Sequence, residues 1–371
     1  MKIEQQQNES EAKIGVGVKY PLIVVIIIIA LGALGFWYFQ SRSFPLPNGE
    51  TTALTVEEEI QKQNQGTQES IEVALDNTLT KTMKTQREIL ITDGVKHSIP
   101  LSEILSGGPG KDGIPSIDNP KFISKNEATF LNDDDPGLGL TVNGESHFYP
   151  YRILVWHEIV NDTVAGEPVL VTYCPLCATG IVFDRRVDGE VQEFGVSGRL
   201  WQSNLLMYNR AGNEENESLW SQVLGEAVLG VNTGEKLSIV RSDVVRFGDW
   251  KKAHPDTKVL SEDTGAARSY GRDPYGDYYT SESVSFGATF NDTRLHPKAL
   301  VHGIEIDGEF KAYHDDALSG TIRDTFAGVA IVITKTNSGE ITFTADGDPL
   351  ASIPGFWFSW LAVHPETELY K

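Results

Sequence analysis

The longest apolar stretch lies near the start of the chain, where residues 21–39 read PLIVVIIIIALGALGFWYF without a charge. About 20 apolar residues at 1.5 Å rise span a bilayer core, so the pattern predicts one transmembrane anchor over 21–39. A cleaved export signal normally has a shorter apolar region that ends in small residues. This run closes instead on Phe36, Trp37, Tyr38 and Phe39, which suit an aromatic belt at the membrane interface. Lys2, Lys13 and Lys19 precede the run and only Arg42 follows closely. The positive-inside rule therefore puts residues 1–20 in the cytoplasm and the bulk outside, as a single-pass protein of the cell membrane.

Beyond the anchor, residues 40–88 are polar and rich in Gln, Thr and Glu, which reads as a stalk with helical tendency over 56–64 and 69–84. From residue 89 the pattern changes. Short alternating runs dominate, such as Val169-Leu-Val-Thr-Tyr, Gly180-Ile-Val-Phe-Asp and Ile331-Val-Ile-Thr, separated by Asp-Gly, Asn-Gly and Ser-Gly. That spacing predicts a mainly β, or β-rich α+β, globular part over 89–371. Short helices are expected over 151–160 and 317–324.

The same pattern recurs within the chain. Gly139-Leu-Thr-Val-Asn-Gly-Glu is echoed by Gly303-Ile-Glu-Ile-Asp-Gly-Glu, and Phe148-Tyr-Pro-Tyr by Phe310-Lys-Ala-Tyr. Asn161-Asp-Thr-Val-Ala-Gly matches Arg323-Asp-Thr-Phe-Ala-Gly, and the apolar strand ending Val171-Thr matches the one ending Ile333-Thr. Trp250-Lys-Lys-Ala-His-Pro-Asp-Thr matches Trp360-Leu-Ala-Val-His-Pro-Glu-Thr. Five matches in one order predict two diverged β-rich copies, 135–262 and 298–371, behind the single N-terminal helix. Only the first copy carries Cys174 and Cys177, and only it holds the extra segment 193–230. The asymmetry assigns the chemistry to the first copy.

Composition narrows the partners. A net charge of −21 over 371 residues argues against nucleic acid or an anionic membrane surface. The membrane is met through the N-terminal helix alone.

The two cysteines stand three apart, as Tyr173-Cys-Pro-Leu-Cys. Such a pair can close a structural disulfide, act as a redox dithiol, or chelate a metal from one side. A disulfide ring this small adds little stability through loop-closure entropy. Residues 178–184 read as a turn into a strand, and no βαβ pattern surrounds them, which argues against a thioredoxin fold. As a metal pair, two soft sulfurs suit copper slightly better than zinc. His157, in Trp156-His-Glu, is the candidate third ligand, because it belongs to the same copy and its repeat counterpart is Ser319. Met207 is a further candidate as a thioether. Glu158 is a candidate acid or base. His254 and His364 recur in both copies and read as turn scaffold, and Ala178 stands where a c-type haem motif needs His. In the extra segment, Arg199 and Trp201 offer hydrogen bonding and stacking to a polar ligand, although Trp201 and Trp220 read first as core. No Ser-His-Asp spacing, phosphate loop or HExxH motif is present.

Several longer motifs stand together: Lys111-Asp-Gly-Ile-Pro-Ser-Ile-Asp-Asn-Pro-Lys-Phe, Trp156-His-Glu-Ile-Val-Asn-Asp, Thr172-Tyr-Cys-Pro-Leu-Cys, Phe194-Gly-Val-Ser-Gly-Arg-Leu and Ser218-Leu-Trp-Ser-Gln. On these, the chain resembles the bacterial and archaeal family built on the domain of unknown function numbered 3179, over 99–371. The resemblance implies domain limits and a Cys-Pro-Leu-Cys centre, and no activity. Three functions follow from the residues. The favoured one is an extracytoplasmic metal-binding protein using Cys174 and Cys177 with His157. The others are a thiol–disulfide oxidoreductase on the same sulfurs and a ligand-binding module with a structural disulfide.

Overall fold

The computed structural model describes residues 44–53, 87–288, 290–336 and 339–371. The anchor expected over 21–39 and most of the expected stalk lie outside the described residues. Among those described, no helix is long and apolar enough to cross a membrane.

The alternating runs form strands, and the fold is mainly β. β1 (Pro136–Val142) and β2 (Glu145–Pro150) make a hairpin, followed by α1 (Tyr151–His157). β3 (Ile159–Val164), β4 (Glu167–Cys174) and β5 (Thr179–Asp184) then form an antiparallel meander. The extra segment contributes β6 (Phe194–Trp201), β7 (Asn204–Asn209), β8 (Ser218–Ser221) and β9 (Glu226–Gly230). These four are the body of an eight-stranded sheet completed by short strands upstream of residue 107. The chain returns as β10 (Ile239–Val240) beside β5 and β11 (Ser242–Arg246) beside β1. After α2 (Phe247–Ala253), β12 (Lys258–Leu260) lies parallel to β2.

The second segment repeats this wiring without the extra sheet. Its elements are β13 (Leu300–Ile306), β14 (Glu309–His314), β15 (Gly320–Phe326), β16 (Val329–Lys335), β17 (Ile341–Ala345), β18 (Asp348–Leu350), β19 (Ile353–Phe356), α3 (Trp357–Val363) and β20 (Glu368–Tyr370). Strand orders β11-β1-β2-β12 and β10-β5-β4-β3 in the first segment recur as β19-β13-β14-β20 and β18-β17-β16-β15 in the second. The four sheets stand in a propeller-like arrangement of four blades.

Matching side chains pin the two segments in the same way. Trp250 donates to Thr257 Oγ1 and Trp360 to Thr367 Oγ1, each at 2.9 Å. Trp250 lies over Gly139 and Trp360 over Gly303. A Cβ added at either glycine would come within 2.4 Å or less of the indole. His254 and His364 cap the turns after α2 and α3 and pack on those indoles, as scaffold. Tyr149 donates to Asp162 at 2.6 Å and Tyr313 to Asp324 at 2.9 Å. Hairpin register pairs Gly139 with Phe148 and Gly303 with Ala312. Tyr149 is therefore the partner of Tyr313, two residues from where the Phe148-Tyr-Pro-Tyr echo puts it.

Two local expectations are corrected. The helix expected over 151–160 stops at His157, because Glu158 takes a left-handed conformation (φ 60°) and β3 begins at Ile159. The helix expected over 317–324 is a 3-10 turn, Asp315–Ala317, followed by β15. Gly320, Thr321, Ile322 and Thr325 disfavour helix, and the tight Ala327-Gly328 turn pairs that stretch with β16.

Candidate functional site

The Cys-Pro-Leu-Cys sequence is the loop of the β4–β5 hairpin. Cys174, the last residue of β4, pairs with Thr179, the first of β5. Cys177 N–H bonds to the Cys174 carbonyl at 3.2 Å, and Ala178 turns the chain at φ 50°. The pair thus sits on a strand-to-strand turn, not at a helix N-terminus. Both cysteines are free thiols and both are buried, at 2 % and 0 % exposure.

Three parts of the chain close over the sulfurs. From the extra segment, the Ser203 carbonyl accepts from Cys177 Sγ at 3.3 Å and stands 3.9 Å from Cys174 Sγ. Asn204 Nδ2 points at Cys177 Sγ from 3.6 Å and donates to Gln222 Oε1 at 2.9 Å. Gln222 in turn donates to Thr172 Oγ1 and the Thr179 carbonyl, each at 3.0 Å. From the second segment, Phe356 N–H bonds to the Cys177 carbonyl at 2.8 Å, and the buried Ser359 hydroxyl, which has no hydrogen-bond partner among the described residues, lies near the sulfur. The linker supplies Tyr278, whose hydroxyl donates to the Leu176 carbonyl at 3.0 Å. Its Ser285 carbonyl accepts from Ser203 Oγ at 2.6 Å.

These surroundings split the two thiols. Burial, and then the hydrogen bond with Cys177, push Cys174 well above the ordinary thiol range. Burial acts to raise Cys177 as well, but donors from Cys174, Ser359, Asn204 and Thr179 outweigh it and hold Cys177 below its usual value.

Glu158 lies beside this pair. Tyr173 N–H bonds to its carbonyl at 2.8 Å, one residue before Cys174. Its side chain is 6 % exposed and makes no hydrogen bond or ion pair among the described residues. Burial, and then the nearby Cys174 sulfur, push its carboxyl well above the normal range, which favours the neutral acid.

The other sequence candidates are placed as follows. His157 does not reach the thiols: Nδ1 meets the Pro115 carbonyl at 2.7 Å and Nε2 the Tyr270 hydroxyl at 2.7 Å. Both ring nitrogens are committed, and burial lowers its pKa. Met207 is fully buried in the apolar cluster that contains both cysteines. Arg199 holds the Phe44 carbonyl through Nε and Nη2, and Trp201 donates to Glu103 in a different cluster, so neither joins the site. Among the described residues, no three His, Cys, Asp or Glu side chains are grouped to hold a metal ion. Asn204, Gln222, Ser359 and Tyr278 escaped the sequence reading. Gln222 closes the quoted Ser218-Leu-Trp-Ser-Gln motif, but nothing local ties Ser359 to a loop far upstream.

A cavity of about 640 Å³ adjoins the hairpin, lined by Tyr173, Ala178, Tyr279 and Phe356 among others. Arg152, Arg272, Asp135 and Asp273 give the lining its charges.

The family model described as "Protein of unknown function (DUF3179)" matches residues 111–348, well over half of the chain. The chain belongs to the DUF3179 family. No curated protein and no solved structure matches it. The DUF3179 match takes in the hairpin, the extra sheet and the linker over the thiols. It ends before Phe356 and Ser359, which nonetheless complete the wall around Cys177.

Proposed function

We propose that this DUF3179 protein is a thiol–disulfide oxidoreductase, anchored in the cell membrane with its globular part outside, that oxidises substrate dithiols through Cys174 and Cys177. One observation carries the reading: two buried free thiols sit in unequal surroundings, with the Asn204 amide held against the Cys177 sulfur and the buried, unpaired Glu158 carboxyl near Cys174. In a structural disulfide these donors and the acid have no use.

The exchange follows from the unequal thiols. A substrate thiolate attacks Cys177 Sγ of the protein disulfide, and the Cys174 sulfur leaves and takes the Glu158 proton. The second substrate thiolate attacks the substrate sulfur of the mixed disulfide, and Cys177 departs as thiolate. The substrate loses two electrons, the protein disulfide gains them, and solvent restores the Glu158 proton. Stabilising a leaving thiolate makes the disulfide more oxidising. The cover formed by Tyr278 and Ser285 must move aside for substrate to enter.

The repeated wiring supports descent of the two segments from one copy. In this reading the second is not mere scaffold, since Phe356 and Ser359 finish the site. Metal binding through the same sulfurs lacks the third ligand expected at His157, which disfavours four-coordinate zinc. Copper(I), which soft thiolates select, is the metal that two sulfurs suit.

The test mixes the oxidised chain with a reduced dithiol peptide. Transfer of one disulfide, lost in Cys177→Ala, and a mixed disulfide on Cys177 when the Cys174→Ala thiol is given the oxidised peptide instead, support the reading. Absence of transfer, or stoichiometric copper in the purified chain, overturns it.

A further inference from the structure

The two segments differ at one sheet edge. In the first, β3 is an edge strand of its sheet, yet it is buried. An extended stretch of upstream chain covers it: Ile117 N–H bonds to the Ile159 carbonyl, and Asn161 N–H to the Ile117 carbonyl, each at 2.9 Å. The contact is a single parallel rung with Ile117 beside Val160. It is locked by the next residue, because Asn161 Nδ2 donates to Asp118 Oδ1 at 2.8 Å. It goes no further, since Asp162 Oδ1 accepts the following N–H, that of Thr163, at 2.7 Å.

β15 is the same edge in the second segment. Counting back from the two-residue turns, Thr321, Ile322 and Arg323 stand where Ile159, Val160 and Asn161 stand. Asp324 Oδ1 again accepts the next N–H, from Thr325, at 2.8 Å. Here none of the described residues covers the rung. Arg323 N–H and the Thr321 carbonyl point away from β16 and have no partner among the described residues. Thr321, Arg323 and Thr325 are exposed, and the Arg323 guanidinium makes no ion pair among the described residues.

The geometry points to this edge as a docking site for an extended acidic segment of a partner protein. The occupant runs parallel to β15, with an apolar residue beside Ile322 and an Asp or Glu next to it. The first segment supplies the template: Ile117-Asp118 on Asn161 becomes apolar-acidic on Arg323, with the neutral amide bond replaced by a charge-assisted one. Strand addition at an open edge gives main-chain hydrogen bonds, and the flanking side chains select the partner. A second copy of this chain fits worse, because antiparallel self-pairing centred on Ile322 sets Arg323 opposite Thr321 and gives the guanidinium no carboxylate.

The probe is a labelled peptide of residues 113–120, Gly-Ile-Pro-Ser-Ile-Asp-Asn-Pro, titrated with the full-length chain in mild detergent. Saturable binding is expected, weakened about tenfold or more by Arg323→Glu. A peptide with Lys in place of its Asp should lose binding to the natural chain and regain it on R323E. Arg323 is exposed, so these variants leave the core intact. No saturation up to about 1 mM, no effect of R323E, or concentration-dependent dimerisation through β15 overturns the inference.

Discussion

Asn204 Nδ2 lies 3.6 Å from the Cys177 sulfur and is held there by its own bond to Gln222. The amide cannot turn away, because its oxygen also accepts Val223 N–H at 3.0 Å. A donor fixed from two sides favours the charged form of whatever it faces, and here it faces sulfur. Asn204→Leu should therefore raise the Cys177 pKa and slow its alkylation at neutral pH by about tenfold. The stranded Gln222 and Val223 groups should cost about 1–3 kcal/mol, read from denaturant unfolding.

Glu158 gives a pH signature of opposite origin. Its folded pKa is raised, so above about pH 4.3 the unfolded chain has released a proton that the folded chain keeps. Stability contributed by this group is then lost as pH rises toward the folded pKa, by up to about 1.4 kcal/mol per pH unit. Glu158→Gln should remove that slope and be more stable than the natural protein at neutral pH. Thermal melts of both proteins from pH 5 to pH 8, run as a matched series, check the sign.

The cover over the thiols should be breakable without damage to the fold. Tyr278→Phe deletes the bond to the Leu176 carbonyl at the rim of the site. The loss should cost about 0.5–1.5 kcal/mol of closure, raising thiol modification rates several-fold under native conditions while the unfolding midpoint moves little. Equal rates in both proteins would mean that reagent enters elsewhere.

Gly139 and Gly303 test the matching frames. A Cβ at either position meets an indole ring within 2.4 Å or less, which no side-chain shift of a buried Trp accommodates. Gly139→Ala and Gly303→Ala should each destabilise by about 1–3 kcal/mol or more. Calorimetry of the two variants measures whether the segments melt together.

Much of this architecture was legible because it is local. Alternation marked the strands through Val169–Tyr173 and Ile331–Thr334, and the turn after Cys177 was visible in Ala178-Thr-Gly. The repeat was legible because Trp250 and Trp360 need a glycine beneath them, which leaves a spaced signature. What failed was short-range ambiguity or long-range closure. The stretch around Thr321 reads as helix or strand until β16 pairs with it. Sequence proximity points to His157 as the third partner of the thiols, yet its ring turns to Tyr270 while its neighbour Glu158 lies near Cys174. Ser359 comes from the far end of the chain, and no spacing rule reaches that distance.

The most direct test of the central claim is the reduction potential of the Cys174–Cys177 couple, read by mass shift after equilibration in glutathione buffers. The account predicts one reversible two-electron couple per chain, above about −230 mV, shifted downward in Asn204→Leu. A disulfide that stays closed below about −300 mV, or a pair that never forms one, would contradict it.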